Sequence, residues 1–326
     1  MTIPKIAIVG AGMSGLSAAT SLTEQGFDVR IFEKSRGYGG RMATRRASGF
    51  EFDHGAQYFT VRDSRFGKEV EEWVRAGVAA PWNGRVAAIE GSEVRMKSGE
   101  QTRYVGTPRM NSVVRHLASR IETALQVQIT EVSRTDRGWQ LFSDAALNSD
   151  SFDAIILTVP PYQARELLAG GNRLRKILET PVLPCWAVMT AFRRPLDLPF
   201  DAAFVNDSKI SWTCRNSSKP HRDKKECWVI HGSPAWSTQY LEADPEWVAN
   251  TLLREFLGQT GATPEETTWL RAHRWRYAQA LEPLTDGFFW DSEKGLGICG
   301  DWCNGSRVEG AFLSGKSLAK KIIERF

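Results

Sequence analysis

Cysteine is scarce in this chain of 326 residues: Cys185, Cys214, Cys227, Cys299 and Cys303 are odd in number and fall in no paired metal-ligand spacing. That pattern argues against a disulfide framework and a zinc site, and suits free thiols in a reducing compartment. Long apolar runs are missing too. None approaches the roughly 20 residues that span a bilayer, and the N-terminal apolar stretch begins the fold instead of following a basic leader, so the chain reads as cytoplasmic, with no membrane contact. Charge of one sign is also lacking: 42 Lys and Arg stand against 38 Asp and Glu, with the basic residues dispersed. The resulting +4 argues against nucleic acid as the main partner and permits anionic small molecules. No repeat or low-complexity tract announces a linker.

What is present is a composition, 42% hydrophobic and 25% charged, that can bury one large core or two joined ones. Residues 6–9 read as a strand, followed at once by glycines, an Ala/Leu-rich helix to Gly26 and a second strand over 29–33. Helical spacing recurs over 63–77 and 108–121, with short strands at 85–90, 93–97 and 103–105. Further strands fall at 127–132, 139–142 and 154–159, the last running into prolines before a helix from Tyr162. Between Pro181 and Ala280 come long strands rich in Trp, Ile and Val, with proline-entered helices at 234–241 and 245–257. A strand at 295–299 and a final helix close the chain.

Gly10, Gly12 and Gly15 sit directly after the first strand and open the first helix, which permits a tight turn, close approach of a pyrophosphate and helix–strand packing. The helix then turns unpaired N–H groups and a positive dipole end toward the phosphates. Glu33 ends the next strand, where a carboxylate can accept both hydroxyls of an adenosine ribose. These features define a dinucleotide site without separating NAD from FAD.

The following segment carries Gly39, Gly40 and Arg41, a second loop able to touch the pyrophosphate while the guanidinium offsets its charge. The chain closes with Gly300-Asp301-Trp302, then Val308-Glu309-Gly310-Ala311 and Ser314-Gly315. Together these resemble the flavin amine oxidase superfamily. The resemblance implies FAD, with Asp301 on the ribityl hydroxyls and Gly310 and Ala311 opening a helix beneath the isoalloxazine, whose positive end favours the reduced ring. Covalently flavinylated relatives carry a cysteine upstream of the closing strand; residues 277–296 contain none, so non-covalent FAD is expected. The expected cofactor residues are Gly10, Gly12, Ser14, Gly15, Glu33, Lys34, Gly39, Gly40, Arg41, Gln57, Tyr58, Val132, Asp301, Glu309, Gly310 and Ala311.

The run Asp53-His54-Gly55-Ala56-Gln57-Tyr58-Phe59 is similar to the renalase branch of that superfamily, as are Val105-Gly106-Thr107-Pro108, Arg215-Asn216 with Lys219-Pro220, His231, and His273-Arg274-Trp275 with Tyr277. Arg109 departs from the pattern, where glycine is expected. Renalase-like proteins oxidise 2- or 6-dihydro isomers of NAD(P)H and pass the electrons to O2, giving NAD(P)+ and H2O2. The resemblance therefore implies a dihydronicotinamide dinucleotide and O2 as small-molecule partners and leaves protein partners open. A dihydropyridine gives up hydride as it regains aromaticity, so positioning carries the catalysis and few acid–base groups are needed.

On the substrate side the expected residues are Trp186 and Trp275 as ring walls, and Gln57, Tyr58, Thr60 and Asn216 as hydrogen-bonding groups. His231 and His273 are either further site residues or satisfied core histidines. Arg215, Lys219, His221, Arg222, Lys224 and Lys225 could meet substrate phosphates or form a solvated hairpin. Two rivals stand beside this reading: a flavin amine oxidase, with Lys209 or Lys219 near the flavin, and a non-catalytic flavin redox sensor. The expected architecture is α/β, a doubly wound Rossmann-like FAD domain from residues 1–60, 105–165 and 288–326. It is joined to a smaller mixed-sheet α+β substrate domain from 61–104 and 166–287.

Overall fold

A computed structural model of the chain describes residues 3–99, 101–143, 150–168, 177–263 and 265–326. The apolar strand Lys5–Val9 lies at the centre of a six-stranded sheet. Asp28–Glu33 and Glu122–Leu125 flank it on one side; Ala154–Leu157, Leu296–Cys299 and Phe288–Asp291 flank it on the other. Every pairing is parallel except the last, a closing antiparallel hairpin. A parallel sheet must be covered on both faces, and the alternation of side chains does this. Ile6 and Ile8 pack with Leu16, Val113, Val114, Leu318 and Ile322 under the helices Met13–Glu24, Ser112–Ala118 and Val308–Ile323. Ala7 and Val9 point the other way, into a cluster with Val132, Leu141 and Leu167 from the ribbon Ile129–Thr135/Gly138–Ser143 and the helix Pro161–Leu167.

The second sheet has seven strands in the order Thr267–Ala280, Val182–Phe192, Cys227–Gly232, Ile210–Arg215, Ala202–Val205, Val86–Glu90 and Glu93–Met96. It is antiparallel apart from the parallel pair Ala202–Val205 and Val86–Glu90, hence mixed. An antiparallel sheet can leave one face uncovered. Here Trp186, Val188, Trp228 and Ile230 pack against Pro245–Thr260, while the opposite face, with Cys185, Ser211, His231, His273 and Trp275, looks into a cleft. The α/β expectation of a Rossmann-like domain with a mixed-sheet partner therefore holds. Segment 61–104 divides: helix Ser64–Arg75 packs Phe66 and Trp73 against Phe312 of the final helix, Val86–Met96 joins the seven-stranded sheet, and Tyr104–Gly106 pairs with Ala79–Pro81. No helix among the described residues is long and apolar enough to cross a membrane.

Candidate active site

The glycine turn is built by steric necessity. Gly10 adopts φ +110° and donates its N–H to Phe32 O, and a Cβ on Gly15 would lie 2.2 Å from Gly10 O, so the helix is set directly against the turn. Gly12 caps that helix without a side chain, which leaves the first-turn N–H groups facing the cleft for an anion. Glu33 is 7% exposed and accepts from Ala11 N–H (2.8 Å) and Ser35 N–H (2.7 Å). An ionised carboxylate keeps further lone pairs, and those of Glu33 remain for a diol. Gly39, at φ +122°, ties the second loop to the first by donating to Ala11 O.

The two ends of the chain meet above this turn. Arg41 grips Asp301 with two hydrogen bonds, Nη1–Oδ2 at 2.9 Å and Nη2–Oδ1 at 2.5 Å, and also donates to Ala278 O. Arg41 is thus an anchor for Asp301 as well as a cation on the wall of the cleft. The final helix crosses the first at close range: Ser17 Oγ donates to Phe312 O, and a Cβ on Gly315 would lie 2.1 Å from Ser14 O. This contact brings the uncapped N-terminus of the final helix, with Val308 and Ala311, to the cleft. Glu309, 8% exposed, accepts from the N–H groups of Arg62 and Asp63 and so holds the loop that carries Thr60.

All of this lines one cleft of about 1620 Å³, well beyond the roughly 300–1,000 Å³ of an ordinary small-ligand pocket. Gly10, Gly12, Ser14, Glu33, Lys34, Gly39, Gly40, Arg41, Asp301, Glu309 and Ala311 border it. The buried ribose acid, the uncapped helix ends and the close-packed glycines fit FAD. Once bound, FAD supplies the two-electron acceptor that no side chain can provide.

At the far end the cleft is walled by Tyr58, Thr60, His54, His231, His273 and Trp275. His54 O accepts from both Trp275 Nε1 (3.0 Å) and a ring nitrogen of His231 (3.1 Å). The His54 ring lies 4.8 Å from His273 and 4.9 Å from Trp275, centroid to centroid. Burial, then the neighbouring His273 and Arg45, lowers the His54 pKa to about 3. Burial lowers that of His231 to about 4, and burial followed by Arg45 lowers that of His273. All three imidazoles are neutral at pH 7. His231 and His273 therefore do face the cleft, although neither is a charged proton carrier.

Several expected residues lie elsewhere. Trp186 is 1% exposed and donates to Tyr240 O: it sits one residue after Cys185, so strand alternation turns it toward the helices, away from the cleft. Gln57 and Asn216 are buried in a polar network around Asp53, where Gln57 Nε2 binds Gly55 O, Asn216 Nδ2 binds Glu51 O, and both carbonyl oxygens accept from Lys219 Nζ. Val132 points into the core, whereas Leu125 borders the cleft. Gly15 and Gly310 serve packing, the latter with its Cα against Asn304 O. None of the basic residues 215–225 lines the cleft: Arg215 binds Glu226, Lys219 and Arg222 bind Asp53, and Lys225 binds Gly49 O. Lys209 pairs with Glu255 and is not among the residues lining the cleft. Arg109, the departure from the family pattern, binds Glu51 through Nε at 2.7 Å. His54, Leu125, Arg45 and Arg46 were not singled out beforehand; only His54 had a signal, its place in the motif shared with Gln57 and Tyr58.

Fold and cleft together define an FAD-dependent oxidoreductase. The chain belongs to the flavin containing amine oxidoreductase family, whose model matches residues 73–323, and a model of an NAD(P)-binding Rossmann-like domain matches residues 8–75. A 4,4'-diapophytoene desaturase of Staphylococcus aureus is 40% identical over 76 residues, a stretch that covers 22% of this chain and 15% of the desaturase. Among solved structures, a candidate protoporphyrinogen oxidase of Exiguobacterium sp. 255-15 superposes over 100% of both chains with TM-score 0.79 at 15% identity. Putrescine oxidase bound to putrescine gives 0.74 at 15% identity over 99% of this chain and 100% of its own. Cyclohexylamine oxidase of Brevibacterium oxydans gives 0.74 at 12% over 99% of both. At these identities the likeness is one of fold.

Proposed function

We propose that the protein is a renalase-like oxidase. It takes hydride from the 2- or 6-dihydro isomers of NAD(P)H, with the balance 2- or 6-dihydro-NAD(P) + H+ + O2 → NAD(P)+ + H2O2. The observation that carries this reading is the charge of the cleft: among the described residues twelve Lys and Arg side chains line it against three carboxylates, Glu33, Asp301 and Glu309. Arg41, Arg109, Arg274 and Arg276 are committed to ion pairs. The other eight have none among the described residues. Bound FAD contributes about two negative charges, so much of the field remains for a second anionic ligand. A dinucleotide is attracted by that field and an alkylammonium is repelled.

Tyr58, Thr60, Trp275 and the neutral histidines then form the wall that orients the nicotinamide, and no side chain has to remove a proton before hydride leaves. Among the described residues lining the cleft the only lysine is Lys34, at the adenosine end, so the lysine associated with amine oxidation lacks a candidate on the substrate side. The five free thiols fit a cytoplasmic setting. The test is anaerobic mixing of the yellow holoprotein with each NADH isomer and with primary amines, following the oxidised flavin band. Bleaching by the isomers is expected; bleaching by amines alone would transfer the protein to the amine oxidases.

A further inference from the structure

We infer that Tyr277 and Tyr162 form a stacking platform for the adenine of the dinucleotide substrate, an inference that rests on the function proposed above. The two rings lie 5.9 Å apart and within 20° of parallel, and the Arg165 guanidinium covers Tyr162 at 5.0 Å. Tyr277 borders the cleft together with Pro160 and Gln163, while Tyr162 is 43% exposed. The pair bridges the helix Pro161–Leu167, packed on the six-stranded sheet, and the strand Thr267–Ala280 of the seven-stranded sheet. An aromatic stack left open at the mouth of a cleft buries little apolar surface for the fold itself, yet offers a flat face to a base.

Position along the strand supplies the second argument. His273 to Gln279 all border the cleft, so this one strand forms a continuous length of its wall. The ladder to Val182–Phe192 shifts between the pairs Cys185–Trp275 and Leu183–Gln279, so the strand bulges over 276–278 and sets Tyr277 in that bulge, next along the wall from Trp275. A substrate whose nicotinamide lies against Trp275 has its remaining half directed along the same wall. The platform binds the part of the substrate that does not react, and so sets preference for dinucleotide over mononucleotide.

The experiment compares anaerobic flavin bleaching of the holoprotein by an isomeric dihydronicotinamide dinucleotide and by the matching mononucleotide. Wild type is expected to half-saturate at a lower concentration of dinucleotide, and Tyr277→Ala to reduce that preference about tenfold, the scale of one lost base–aromatic stack. Tyr277→Phe should retain the preference, and Tyr162→Ala, at an exposed position that the fold tolerates, should reduce it in part. Unchanged preference in both alanine variants, with bleaching intact, overturns the platform and leaves the proposed reaction standing. Failure of wild type to bleach with either compound removes the proposed reaction and the inference with it.

Discussion

Asp53→Asn removes the single carboxylate that holds two buried cations. Asp53 is fully buried, with Oδ2 accepting from Arg222 Nη2 (2.6 Å), Arg222 Nε (3.2 Å) and Lys219 Nζ (3.3 Å), and Oδ1 accepting from Thr44 Oγ1 (2.6 Å) and Met110 N–H (3.1 Å). The Lys219 and Arg222 side chains are 0% and 1% exposed. Two positive charges therefore share one negative, and its loss leaves both unpaired. Breaking a buried pair costs about 3–5 kcal/mol. At about 2.1 cal/mol/K of unfolding entropy per residue, a chain this long shifts roughly 1.5 °C per kcal/mol, so the holoprotein should melt about 4–8 °C lower. Lys219→Met alone leaves a balanced Asp53–Arg222 pair and should cost less. Added to Asp53→Asn it should restore stability, because it removes one uncompensated charge. Burial alone would raise the Asp53 pKa; Lys219 and Arg222 more than offset this and hold it well below the usual range. The stabilisation is therefore complete above the unfolded pKa of about 3.9 and is lost as pH falls below it. A melting point for Asp53→Asn within 1–2 °C of wild type, or a double variant less stable than either single one, would refute the charge accounting.

Asp301→Ala strands Arg41 on Ala278 O and removes an acceptor from the cleft; FAD affinity should fall about 5–30-fold, for about 1–2 kcal/mol, in a titration of apoprotein with FAD. Gly315→Ala forces a Cβ against Ser14 O and should destabilise the crossing of the first and last helices by about 1–3 kcal/mol, read by thermal melting with early release of flavin. The bleaching rate with substrate should be flat from about pH 6 to pH 8, since His54 and His231 titrate near 3 and 4; a step near 6.5 abolished by His231→Asn would contradict this. The same lowered values mean that the unfolded chain binds more protons below about pH 6.5, so these histidines make the fold less stable as pH falls. Trp275→Ala should raise the substrate concentration needed for half-maximal bleaching, whereas Trp186→Phe should change the melting point alone.

The cofactor cradle was legible because its information is local. Gly10, Gly12, Gly15 and Glu33 lie within one strand–helix–strand unit, and Asp301 to Ala311 within one strand-to-helix turn, so spacing alone carries the geometry. The proposed substrate wall was not, because it depends on pairings across the chain. Whether Trp186 or Cys185 faces the cleft is decided by register, and the ladder to the strand Thr267–Ala280 shifts between Leu183 and Cys185. Asn216, Lys219 and Arg222 looked like ligands for substrate because their true partner, Asp53, is 163 to 169 residues away. Arg45 and Arg46 gave no signal: on an exposed hairpin they differ from any solvated pair until the fold sets them at the rim of the cleft.

The charges lining the cleft and the state of its histidines bear on the same question from two sides. An amine arrives as an ammonium ion and must lose a proton before it can surrender hydride, which calls for a base poised near the working pH. The three imidazoles at the far end of this cleft are uncharged at pH 7, but with pKa values pushed down toward 3 and 4 two of them are far too weak to take that proton. Arg45, one cause of the shift at His54 and at His273, also adds to the field that repels the ammonium. A dihydronicotinamide dinucleotide meets neither obstacle. In the proposed reaction its phosphates would be drawn by the arginines, its ring would rest against neutral imidazole and indole, and its hydride would leave without prior loss of a proton. The feature that would impair amine oxidation is the feature that would serve the proposed reaction.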